Sequence, residues 1–280
     1  MAKRRERDIG DWMPVVIVVV LVAGAVAYVA HRMMQPAAGP APASTAAAPA
    51  GTAAPPAMPH HPIAEAAAPA SAATSGAPLP TLDDSDASVG AALRALGGSR
   101  LQDLLLPQQI VNHVVATVDA LPRHELGSGS ILPLRTPRGA FMASETQGVL
   151  AADARNAERY APYLDVVRRV DSSALVAWYV RAYPLFQQAY RQLGYPKGYF
   201  NDRLIAAIDD MLAAPQLPQP PALVRANGRY TYADPSLESL SVGQKLMLRL
   251  GPANEAELKV KLRVIRGLLT ARTIPARTTG

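Results

Sequence analysis

The chain contains no cysteine. That excludes disulfides, thiolate nucleophiles, cysteine-ligated metals and lipid attached to a cysteine. Aromatic residues are sparse, 5% of 280 residues, and only three are phenylalanine. Histidine is also rare: there are five, of which only His113 and His124 fall beyond the first quarter of the chain. Neither belongs to a Ser/His/Asp arrangement or a His-Glu-x-x-His helix, so neither a metal nor a cofactor site is expected. A strong charge of one sign is missing as well. The formal net charge of +6 is too small to argue for nucleic acid as a partner. Gly127-Ser128-Gly129-Ser130 lacks the Gly-Lys-Ser/Thr ending of a phosphate loop and the Gly-x-Ser-x-Gly spacing of a nucleophile elbow.

One long uncharged run is present, Trp12 to Ala30. Its length, at ~1.5 Å per residue, approaches the ~30 Å hydrocarbon thickness of a bilayer, and a lone span in lipid must be a helix. Trp12 and Tyr28 stand near its ends, where amphipathic rings favour headgroups. Lys3, Arg4, Arg5 and Arg7 precede it and Arg32 alone follows closely. The positive-inside bias puts the N-terminus in the cytoplasm and the rest in the periplasm, at the cytoplasmic (inner) membrane. Ala23-Gly24-Ala25 also satisfies a signal-peptidase rule, but the run exceeds a usual signal core of ~7–15 residues, which favours a retained anchor.

The organisation expected is a cytoplasmic tail over 1–11, a span over 12–30, a linker over 31–81, a folded domain over 82–272 and a tail over 273–280. The linker is almost wholly Ala, Pro, Gly, Ser and Thr, a composition unable to offset its ordering entropy, so it reads as disordered. His60-His61 within it lacks further ligands for a metal.

From Leu82 the pattern is helical, and the fold class expected is mainly α, a compact multi-helix domain with one or two small β-hairpins. Asp83, Asp84 and Ser85 are cap candidates for a helix ending at Gly97-Gly98, and Ser99 for the next. Pro107 suits the first turn of a third, whose Ile110, Val111, Val114, Val115 and Val118 share a face. Residues around 140–143 and 149–151 suggest a hairpin, and Asn227-Gly228 is a strong signal for a second. Asp153 opens a helical stretch interrupted by Pro162. Asp171 caps the longest helix, where Pro184 predicts a kink or break. Further helices start at Asn201 or Asp202, at Val242 (closed by Gly251) and at Pro252.

Eight of the fifteen aromatics lie between Trp178 and Phe200. Tyr179, Tyr183, Phe186 and Tyr190 form one helical stripe, read as core rather than a sugar-stacking platform. The strings YPLFQQAYRQLGYPKGYFNDRLIAAIDDML (Tyr183 to Leu212) and YADPSLESLSVGQKLMLRLGPANEAELKVKLRVIR (Tyr232 to Arg266) resemble a bacterial family catalogued as domain of unknown function 3014. So do QQIVNHVVATVDALPR and LDDSDASV, at Gln108 and Leu82. The resemblance implies one N-terminal span, a Pro/Ala-rich linker and a helical domain in the envelope. It brings no activity, and so no catalytic residues.

Chemistry is therefore weighed residue by residue. Asp202 and Asp209 are the best acid pair for a wall-directed hydrolase, which needs carboxyls ~5–9 Å apart, yet helix-dipole and solvation roles account for both. Two surfaces suit binding: the turn with Tyr195, Lys197 and Tyr199 beside Asp202, and a basic face with Lys259, Arg263 and Arg266. The expected function is a non-catalytic binding or scaffolding module, with the bilayer contacted through Trp12 to Ala30 and an envelope protein or cell-wall polymer as partner.

Overall fold

The computed structural model describes residues 60–63, 78–126, 131–226 and 229–271. The expected span over 12–30, the Gly127–Ser130 stretch and the tail over 273–280 lie outside them. Among the described residues no helix is long and apolar enough to cross a membrane.

The domain is mainly helical with two small antiparallel hairpins. Helix α1 (Asp86–Leu104) is two helices joined at Gly98, whose φ of 69° and ψ of −169° only glycine adopts comfortably. The expected break at Gly97-Gly98 is thus present. Ser85 occupies the cap position, but its hydroxyl donates to the Leu82 carbonyl, not to the cap. Helix α2 (Ile110–Ala120) begins three residues beyond Pro107. The reason is long-range: the Asp86 carboxylate accepts the Gln109 and Ile110 amides at 2.6 and 2.8 Å, fixing the start there. Its predicted apolar face is buried throughout.

Hairpin β1 (Ala143–Thr146)–β2 (Val149–Ala152) pairs Thr146 with Val149. Gln147 and Gly148, both at positive φ, make the two-residue turn whose twist suits a hairpin. The first strand lies later than expected from the run at 140–143. Asp153 then caps a 3-10 segment (Ala154–Tyr160), and Pro162 sits in the first turn of α3 (Ala161–Arg169), where its missing N–H is harmless. Asp171 caps α4 (Ser172–Gln192) by accepting the Ala174 amide at 2.7 Å. This helix is continuous through Pro184, so of the kink or break expected there the break is absent. Trp178, Tyr179, Phe186 and Tyr190 are all buried, and packing of that face outweighs the one lost hydrogen bond.

Helix α5 (Phe200–Leu212) follows, then hairpin β3 (Leu223–Ala226)–β4 (Arg229–Tyr232), short helix α6 (Pro235–Glu238), α7 (Val242–Arg249) and α8 (Pro252–Ala271). Ala226 pairs with Arg229, so the expected second hairpin is present; Asn227-Gly228 itself lies outside the described residues. Helix α4 packs on α2 and α8, while α5 packs on α2, α4, α7 and α8. These contacts enclose the main core. The hairpins meet edge to edge through an Ala151–Ala222 bridge, and a second small core of Leu223, Tyr232 and Leu248 lies beneath them.

Candidate functional site

Under the paired hairpins lies a pocket of about 100 Å³. Each wall has a local cause. Phe141 and Tyr230 lean together with ring centroids 5.4 Å apart, one from each hairpin region. The 3-10 segment supplies Asn156 and Tyr160, with Asn156 locked by accepting the Met142 amide and donating to the Met142 and Asp153 carbonyls. The capping box of α7, Ser241 with Gln244, sets that helix so that its last turn delivers Leu248 and Arg249. Gly251, at φ 78°, turns the chain into α8, whose first turn contributes Glu255.

The polar groups of the pocket differ in how far they are already engaged. Asp153 is bound by Arg155, whose hydrogen bond holds the carboxyl down at about 2. Glu255 is buried, with Oε1 2.8 Å from Lys259 Nζ. Burial raises the Tyr232 phenol above its ordinary value, against the charge and hydrogen bond of Arg249. Arg249 also lines the pocket, and its Nη1, like Glu255 Oε1, is buried with no hydrogen-bond partner among the described residues. An engineered apolar cavity of ~150 Å³ holds benzene. This one therefore takes a few heavy atoms.

A second constellation joins α2, α5 and the Gly194–Gly198 turn. Asp119 is buried and accepts from Arg203 Nε at 2.9 Å, from Tyr195 Oη at 3.2 Å and from Arg123. Arg203 also donates to the Asp119 carbonyl, and Arg123 Nη2 to Tyr195 Oη at 2.7 Å. The Tyr195 ring stacks on Tyr190 at 4.5 Å. Tyr195 is thus a structural member of a satisfied network, whereas Lys197 is exposed and Tyr199 half-buried.

Asp202 faces another direction. Its oxygens accept the backbone amides of His60 and His61 at 3.0 and 2.7 Å, and Asn201 Nδ2 donates to the His61 carbonyl at 2.8 Å. Ile63 is 6% exposed and belongs to the main core. At these four residues the expected disordered linker is docked. Their engagement also explains why neither Asn201 nor Asp202 caps α5, which begins at Phe200 with no side-chain cap.

The basic face is not continuous. Lys259 is 3% exposed, pairs with Glu255 and donates to the Ala214 carbonyl at 2.6 Å, which removes it from any surface. Arg263 is exposed. Arg266 is bidentate to Asp209, at 2.5 and 3.0 Å. Both oxygens of Asp209 are thus held by Arg266, and both of Asp202 by backbone amides. The adjacent Asp210 instead accepts from Ser241, and its carboxyl is raised by burial.

A family model described as "Protein of unknown function (DUF3014)" matches residues 110–266, more than half of the chain. This chain belongs to the DUF3014 family. No match is found among curated proteins or among solved structures. The DUF3014 stretch opens with α2 and ends in α8, so it contains most of the pocket wall, Asp119, Asn201, Asp202 and the Glu255–Lys259 pair. Helix α1 and the docked His60–Ile63 segment precede it.

His113 of the DUF3014 stretch yields a pH prediction. Burial lowers its pKa from the ordinary 6.5, opposed by Asp86, and its Nδ1 has no partner among the described residues. A lowered folded value means that the contribution is present above 6.5 and lost as pH falls through the folded value. The urea midpoint should therefore drop between pH 7.5 and 5.5, and His113→Gln should flatten part of that slope.

Proposed function

We propose that this DUF3014 chain is a non-catalytic binding module of the cell envelope, anchored in the cytoplasmic membrane by Trp12 to Ala30. In this reading a loose linker carries the helical domain in the periplasm, and the pocket under the hairpins holds the ligand. The observation that supports it is the apolar, aromatic-rimmed pocket with Arg249 among its lining residues. Mostly apolar concavities with a few fixed polar groups are where small ligands bind. A carboxylate is the matching partner of an arginine that lines such a pocket. Glu255 and Asp153 do not oppose this, since each already has its own cation.

Together, the volume and the charge favour the terminal residue of a peptide, small in side chain and ending in a free carboxylate. Cell-wall peptides and protein C-termini share that chemistry. The full chain in detergent should bind a short peptide ending in Ala-Ala at least tenfold more tightly than its C-terminal amide, by calorimetry. Arg249→Ala should erase the difference. Equal binding of acid and amide, or no binding of either, overturns the pocket assignment. The topology is tested separately, by reporters fused after Pro80 that are active on only one side of the membrane.

A further inference from the structure

Asn201, Asp202 and the segment they hold require a different explanation from the pocket. A carboxylate gripping two successive backbone amides, beside an amide side chain gripping the carbonyl of the second, is a grip on main chain, not on histidine rings. Side-chain selectivity enters two residues later, where Ile63 enters the core. The receptor half is built independently of the segment. Asn201, 0% exposed with the segment docked, accepts from Tyr179 Oη at 3.3 Å through its Oδ1, so its Nδ2 is left aimed at the His61 carbonyl. Burial raises the Tyr179 phenol well above its ordinary value, which keeps it a donor and keeps Asn201 in that orientation. The segment is preorganised as well. Pro62 has a fixed φ and holds His61 in extended backbone, reducing the freedom lost on docking.

We infer that Asn201, Asp202 and the seat of Ile63 form a docking site for an extended peptide, and that its occupant is this chain's own His60–Ile63 segment, held in cis as a releasable latch. The inference does not depend on the pocket ligand or on the membrane reading. Only 14 residues separate Ile63 from Pro78. A short connection gives an effective concentration of roughly a millimolar, so a segment with an affinity of only ~0.1 mM is docked about nine-tenths of the time. Three hydrogen bonds and one buried side chain place this contact at the low-stability end of the molecule, where segments open without global unfolding. An Ala/Pro tract thereby contains one address, His-His-Pro-Ile, that recognises the domain. Its release lengthens the free tether without disturbing the main helices.

Hydrogen exchange on the full chain tests this. The His60 and His61 amides should exchange at least tenfold more slowly than amides elsewhere in the 31–77 tract. Asp202→Ala and Ile63→Ser should each remove that protection. Ile63→Ser alters only the segment, so the test survives if Asp202→Ala fails to fold. A labelled peptide spanning Pro59 to Ala64 should bind a full chain in which His60→Gly, His61→Ser, Pro62→Gly and Ile63→Ser are combined. It should bind the unaltered chain at least fivefold more weakly, because the site is occupied. Fast exchange at both amides in the unaltered chain, or failure of the peptide to bind the emptied chain, overturns the inference. Protection that vanishes on dilution together with a dimer also overturns it, by moving the occupant to a second copy.

Discussion

Asp119→Ala should destabilise the domain by about 3 kcal/mol, the low end of the ~3–5 kcal/mol range for breaking a buried ion pair. The carboxylate is 5% exposed and meets two guanidinium groups and a phenol from three parts of the chain. Removing it leaves Arg203, 24% exposed at its side chain, with the Asp119 carbonyl as its acceptor among the described residues. The low end applies because Arg123 is 50% exposed and can turn to water. Asp119→Asn keeps the shape and should cost less, since one oxygen still accepts. Urea unfolding measures both. A second readout distinguishes this network from mere packing: Tyr195 loses an acceptor, so amides in the Gly194–Gly198 turn should exchange faster in Asp119→Ala while α4 stays protected. A loss below about 1 kcal/mol would mean that solvent already satisfies the arginines.

This network also marks how far the sequence could be read. Features closed within about four residues were legible: Asp171 on the Ala174 amide, Asp153 opening its turn, Gly98 at positive φ, Gly251 after α7 and the β3–β4 hairpin. Each follows from backbone chemistry that one residue dictates to its neighbours. The Ser241/Gln244 box has the same local character, and its three-residue spacing was available to find it. What distance in sequence separates was not legible. Asp86 fixes the start of α2 from 23 residues away, Arg203 reaches Asp119 across 84, and Asn201 reaches His61 across 140. Periodicity placed Lys259 on a basic face because neighbouring positions are cationic. Glu255, one turn earlier, draws it into the interior, and helical spacing alone does not show which side of the helix is inside. The pocket escaped for the same reason. Its walls come from two hairpins, a Pro-rich loop and two helix ends, none of which contains a motif.

Lys259→Met should cost about 3–5 kcal/mol, because it leaves the 2%-exposed Glu255 without its cation and the Ala214 carbonyl without a donor. Adding Glu255→Leu should reverse the sign of the second step. A buried ion pair replaced whole by apolar groups of similar volume is often neutral or more stable by ~1–4 kcal/mol, since neither charge then needs desolvating. The double variant still leaves the Ala214 carbonyl without its donor, so it should unfold within about 2 kcal/mol of the native chain, while Lys259→Met alone falls further below. That pattern would show that stability does not explain why the pair is there. Glu255 lines the pocket and is paired with Lys259; in the proposed binding reading that pairing keeps a carboxylate at the wall from repelling an anionic ligand. The stable double variant then separates fold from binding. If it keeps the preference for a peptide acid over its amide, Arg249 alone selects the carboxylate. If it loses that preference while remaining folded, the buried pair shapes the pocket's field and belongs to the binding machinery.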